Sequence, residues 1–159
     1  MLAKTQDEIR KIYDSIETIK RLSDRIVGIG PINIIGLDGI LSWFPAIGIP
    51  YSIIASLFLL IQGIRARVGL GTWLASALVL VANDLPEVFA LIPLVGEAGA
   101  LVNTLFQGHL YAAHMMQKDI EKTIYVAGSA SDAHRSGEHQ EHLAEMRATK
   151  GKSRVVYLG

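Results

Sequence analysis

The chain has no cysteine, which excludes disulfides, thiolate metal sites and cysteine nucleophiles. It also has almost no charge through its middle. Between residues 32 and 116 the charged side chains are Asp38, Arg65, Arg67, Asp84, Glu87 and Glu97. Net charge is absent too: 15 Lys and Arg balance 15 Asp and Glu, so the basic footprint of a nucleic-acid binder is missing. The N-terminus MLAKTQDEIRKIYDS lacks the apolar core of a cleaved export signal. Residues 49–64 and 72–82 lack the polar stripe that a soluble surface helix carries.

Apolar sequence fills the space. Half of the 159 residues are apolar, 19% are charged, and the mean hydropathy is +0.34. The charges that exist collect at the ends, in residues 1–31 and 117–159. This pattern leads us to expect a membrane-embedded block, 32–118, between a cytoplasmic N-terminal arm (1–31) and a polar cytoplasmic tail (119–159). A compact soluble helical fold, or a hydrophobic hairpin released on a trigger, is the alternative.

The block repeats itself. GLDGILSWFPAIGIP and NDLPEVFALIPLVGEAG each place an aspartate, an apolar run and then Pro-x-x-Gly. Pro45 aligns with Pro93, Gly48 with Gly96 and Ser56 with Thr104 at one offset, and Asp38 matches Asp84. Proline and glycine interrupt helices, by a missing donor with a ring clash and by access to positive φ. The expected fold is therefore all-α: two tandem helical hairpins, 32–64 and 72–118, each turning at its Pro-x-x-Gly. At about 1.5 Å per residue, 72–92 and 97–116 reach about 30 Å, a bilayer core, while 33–44 and 49–64 reach only about 18 and 24 Å. The first hairpin is thus expected to re-enter, or to lie under cover of the second. Small residues follow each turn at a spacing of four: Ser52 and Ser56 after the first, Ala100, Thr104, Gly108 and Ala112 after the second. Such ridges let helices approach closely in lipid.

All 15 Lys and Arg fall in the N-terminal arm, the Arg65/Arg67 loop or the tail. Two hairpins return these three places to one face, and the positive-inside tendency makes that face cytoplasmic.

The segments GLDGILSWFPAIGIP, RVGLGTWLASALVLVANDL and IPLVGEAG resemble an uncharacterised prokaryotic membrane-protein family, domain of unknown function 4112, over roughly residues 24–118. Gly36, Leu37, Asp38, Pro45, Gly48, Asp84, Pro93 and Gly96 fit its pattern. Ile49 and Glu97 stand where the family places aspartate after each Pro-x-x-Gly. Leu80 replaces a usual asparagine, and Ala100 an acidic position. The resemblance implies a membrane-embedded helical fold and no particular reaction.

Asp38, Asp84, Glu87 and Glu97 carry the candidate chemistry. Ionisable groups at membrane depth are costly and mark functional sites, here a proton or cation path; the same carboxylates also suit helix N-termini and broken backbone. A helix break is expected near Pro86. Arg65 and Arg67 mark topology or reach lipid phosphate. His109 and His114 read as core or interface residues. His139 and His142 share a helical face in a solvated tail too loose for a zinc site, so no metal and no cofactor is expected. GIGP and GLG lack the strand, lysine and spacing of a phosphate loop. Ile9, Ile12, Tyr13, Ile16, Ile19, Leu22 and Ile26 form the stripe of an amphipathic helix that lies on a membrane or pairs with another helix. SRVVYLG is β-prone and suited to adding to a partner's surface. The function expected is a non-enzymatic accessory, assembly or scaffold subunit of the cytoplasmic (inner) membrane, bound to lipid and to other membrane-protein subunits or copies of itself. A homo-oligomeric ion or proton channel or transporter built on the carboxylates is the alternative.

Overall fold

The isoleucine stripe folds as expected. A computed structural model describes residues 1–24, 27–29, 32–35, 45–89 and 108–159, and opens with helix α1, Gln6–Asp24. Its start is secured twice: Thr5 Oγ1 accepts from the Glu8 amide at 3.2 Å, and a Glu8 carboxylate oxygen accepts from the Lys4 amide at 2.6 Å. Both bonds satisfy donors that a helix start leaves orphaned. Ile9, Ile12 and Ile16 are buried at spacings of three and four, each burial contributing about 2 kcal/mol. The surface that covers them belongs to the same chain: they share a core with Ala112, Ala113, Met116 and Ile120.

Next come two short strands, β1 (Val27–Ile29) and β2 (Ile32–Ile35), paired antiparallel with Ile29 opposite Ile32. The helix expected over 33–44 therefore begins as a strand. Its apolar run is rich in β-branched isoleucine, which favours a pleated surface over a helix.

Helices α2 (Pro45–Arg65) and α3 (Leu70–Phe89) follow, joined by residues 66–69. They run antiparallel, since Ser52 meets Asp84 while Trp73 Nε1 donates to the Leu60 carbonyl at 3.1 Å. This hairpin closes at the arginine loop. The expected turn at Pro45–Gly48 is instead the first turn of α2. Proline suits that position, because its fixed φ is helical and its missing N–H would be unpaired there anyway. Helix α3 likewise continues through Pro86 to Phe89, without the expected break. Helix α4 (Gly108–Glu121) packs on α1, α2 and α3. Among the described residues no helix is long and apolar enough to cross a membrane. The second Pro-x-x-Gly, with Pro93 and Gly96, lies outside the described residues, as do Asp38, Glu97, Ala100 and Thr104.

The tail is folded. Strand β3 (Thr123–Val126) pairs in parallel with β4 (Arg154–Tyr157), Thr123 opposite Arg154 and Val126 opposite Tyr157. Helices α5 (Ala130–Ser136) and α6 (Glu138–Ala148) make the crossover. Ser129 caps α5, and Gly137, at φ 88°, turns the chain into α6 through a left-handed conformation that suits glycine. The β-prone C-terminus therefore adds to a strand of its own chain. The molecule is mostly helical, six helices with two two-stranded sheets among the described residues, rather than all-α.

Candidate functional site

Helices α2 and α3 expose apolar side chains and bury several polar ones. Every exposed side chain described on them is apolar, or is glycine or proline: Ile54 is 66% exposed and Leu78 72%, with Ile47, Ile53, Leu57, Ile61, Ile64, Leu70, Leu74, Val81 and Leu85 alongside. Their buried faces carry Ser52, Ser56, Gln62, Ser76 and Asn83.

The polar residues meet α4 in one cluster. Ser52 Oγ donates to Asp84 Oδ1 at 2.7 Å, and Asn83 Nδ2 donates to the same carboxylate oxygen at 3.3 Å and to Ser52 Oγ at 3.4 Å. Asn83 Oδ1 accepts from the Gly108 amide at 2.9 Å. His109, fully buried, brings Nε2 to 3.0 Å from Ser56 Oγ and 3.1 Å from the Ser52 carbonyl. A carbonyl can only accept, so this contact puts a proton on Nε2. In that tautomer the ring cannot take the Ser56 proton, and the pair lacks the base of a serine nucleophile.

Gly108 explains part of the small-residue spacing. A Cβ there would stand 2.4 Å from Asn83 Cβ, so glycine is what lets α4 close on α3. Ser52, Ser56 and Ala112 are buried as well, so the described part of the ridge faces inward, within the chain. Asp84 is half-buried in the cluster; Glu87 lies on α3. Sequence reasoning missed Asn83 and its link to Gly108. The signal available was the inner stripe of α3, where Thr72, Ser76, Leu80 and Asn83 recur at helical spacing.

At the other end of the hairpin the N-terminus, the arginine loop and the C-terminus come together. Ala3 donates its amide to the Arg65 carbonyl at 3.0 Å. Arg67, expected to mark topology or reach lipid phosphate, gives Nη1 to the Tyr157 carbonyl and Nη2 to the Leu158 carbonyl at 3.2 Å. Arg65 Nη1 donates to Gln62 Oε1. Asp119 Oδ2 accepts from the Gly69 amide at 2.8 Å, a favourable place for a carboxylate at the start of α3, and pairs with Arg154 Nη2 at 2.9 Å. Asp119 Oδ1 also accepts from Thr72 Oγ1 at 3.3 Å.

Two ionisable contacts tie α1 to α4. The Gln117 amide, ahead of Arg21 and Lys20, holds the Glu17 carboxyl down at about 2. Tyr13 donates to Glu121 at 2.5 Å, and that bond pushes its phenol up to about 12. Burial does the same to Tyr125, whose hydroxyl donates to the Ala66 carbonyl. On the tail, the Nδ1 atoms of His139 and His142 each lie 3.0 Å from the Tyr157 hydroxyl, and His134 stacks on His139 with centroids 3.9 Å apart. Desolvation, then the neighbouring His134 and His142, lower the His139 pKa. Among the described residues no three His, Asp or Glu side chains are placed to hold a metal ion. His114 is exposed.

Taken together, the fold and the cluster define a small, mostly helical protein with a polar cluster beside its apolar core, an apolar exterior over one hairpin and a folded polar cap. The chain belongs to the family described as domain of unknown function (DUF4112), whose model matches residues 12–120. That match runs from the middle of α1 to the end of α4, so the cap formed by β3, α5, α6 and β4 falls outside it. No curated protein and no solved structure matches the chain.

Proposed function

We propose that the protein is embedded in the cytoplasmic membrane and acts as an accessory, assembly or scaffold subunit. One observation carries this: the exposed faces of α2 and α3 are apolar, while polar Ser52, Ser56, Gln62, Ser76 and Asn83 lie on their buried faces among Ala55, Leu59 and Leu80. Water would penalise so large an apolar surface. Lipid favours it, and a buried polar cluster then holds the helices together where apolar contacts supply no driving force. An embedded hairpin that enters and returns needs no single helix to cross. The arginine loop and both termini gather at one end, which supports a cytoplasmic face there.

Among the described residues the arms fold back on their own chain, and we assign partner binding to the apolar α2–α3 face. Lipid chains cover it until a partner helix displaces them. Carbonate washing of membranes, followed by gentle detergent extraction, tests both halves. Retention in the washed membrane and co-purification of a defined membrane partner in fixed stoichiometry are expected. Release by carbonate would overturn embedding; a clean homo-oligomer or monomer would overturn the accessory role.

A further inference from the structure

The two arginines of the hairpin loop are held within the chain: Arg67 by the Tyr157 and Leu158 carbonyls, Arg65 by Gln62. Two other cations stand at the same end of the hairpin, Lys118 on α4 and Lys122 just after it. We propose that these lysines hold the phosphate of an anionic membrane lipid in the cleft between α3 and α4, with an acyl chain of that lipid along the apolar side of the cleft. The inference rests on the membrane reading above and gives the membrane a specific point of contact.

Three observations lead to it. First, a cavity of about 310 Å³ opens between Gly71, Thr72 and Ala75 of α3 and Met115, Lys118 and Lys122. Helices α3 and α4 run antiparallel here, since Gly108 bonds to Asn83 while Asp119 bonds to Thr72. The lysines therefore stand at the cap end of the cleft, with Met115 and Ala75 a turn deeper.

Second, the two ammonium groups lack a counter-ion. The Lys122 amide donates to the Lys118 carbonyl at 3.1 Å, so the lysines sit one helical turn apart, a spacing at which like charges repel. The acid that lines the cleft, Asp119, is committed to Arg154 at 2.9 Å and to the Gly69 amide at 2.8 Å. Among the described residues neither lysine side chain has a hydrogen bond or an ion pair. A phosphate between them relieves the repulsion and gains charge-assisted hydrogen bonds.

Third, the cleft borders the apolar face. Ala75 is exposed, and Leu74 and Leu78 continue the same side of α3, 48% and 72% exposed. A free phosphate gains nothing from that apolar margin, whereas the chain of a phospholipid covers it. This margin makes a lipid the occupant.

The test uses the full chain in phosphatidylcholine vesicles with a trace of spin-labelled phosphatidylglycerol or spin-labelled phosphatidylcholine. Electron paramagnetic resonance separates lipid held at the protein from free bilayer lipid, and the ratio of the two held fractions reads headgroup preference. Phosphatidylglycerol should be preferred. Lys118→Gln and Lys122→Gln should each lower that preference about fivefold, the ordinary contribution of a lysine beside an anionic surface, and Lys118→Arg should keep most of it. Gly71→Leu, with open space ahead of its side chain, should fill the cleft and lower the preference with both lysines in place. Lys150→Gln removes the same charge from the cap and should leave it unchanged. Held lipid without a preference for phosphatidylglycerol overturns the proposal, as does a preference that Lys150→Gln lowers as much as Lys118→Gln. A preference abolished by inorganic phosphate at constant ionic strength would make free phosphate the ligand and overturn the lipid assignment. Should Gly71→Leu fail to fold, the lysine variants decide on the same readout. No held lipid of either kind overturns the membrane reading, and this inference with it.

Discussion

Asn83 does three jobs at once: it accepts from the Gly108 amide and donates to both Asp84 and Ser52. Asn83→Ala should therefore cost about 1–3 kcal/mol, because it strands a buried amide and a carboxylate partner together. Thermal unfolding in detergent would measure it, and an unchanged midpoint would refute the assigned role. Gly108→Ala should also destabilise, since its Cβ would meet a side-chain root rather than a flexible tip. At this scale the sequence was partly legible. Asp84, Ser52, Ser56 and Gly108 stand out as a charge in an apolar block and a small-residue spacing. Apart from the contact between neighbours Asn83 and Asp84, their union with Asn83 and His109 joins positions 25 to 57 residues apart, and no local pattern reports such pairing.

Among the elements, α1 was the most legible, because a 3.6-residue period needs no tertiary information. Ile16→Ala, at a fully buried position of that stripe, should cost about 2–5 kcal/mol. The segment at Pro45–Gly48 misled for a physical reason. Proline at a helix start and proline in a turn have the same fixed φ, and only the following residues separate them. Strand β4 was visible as a β-prone end, whereas its partner β3 sat unmarked at the foot of α4.

The tail carries a pH dependence of its own. The Tyr157 hydroxyl has one proton to give, so one of the two histidine Nδ1 atoms facing it accepts while the other donates. His139 has its pKa lowered by the fold below the usual histidine value, by desolvation and then by the neighbouring His134 and His142. Its contribution to stability is full above that usual value and is lost as the pH falls through the folded one. The protection of α5 and α6 amides, as the ratio of intrinsic to observed exchange rate, should fall on acidification from pH 7.5 to 5, and His139→Gln should flatten that response. The Glu17–Gln117 contact behaves alike at lower pH: its contribution fades only below the normal glutamate range, toward about 2. Protection in α1 should therefore be unchanged at pH 5, where that of the tail has already fallen.

At the scale of the whole molecule, the central claim is the order of polarity over the α2–α3 hairpin: Ser52, Ser56, Ser76 and Asn83 face inward, and Ile53, Ile54, Leu74 and Leu78 face outward. The sequence announced an apolar block, but which residues face out depends on how α2, α3 and α4 meet. Because the chain lacks cysteine, single nitroxide labels can be placed cleanly. Labels at Ile54 and Leu78, with Arg135 on the cap for reference, should be read by collision with oxygen and with a water-soluble nickel chelate in reconstituted vesicles. Oxygen should dominate relaxation at Ile54 and Leu78, and the nickel chelate at Arg135. Nickel access at Leu78 equal to that at Arg135 would contradict the account.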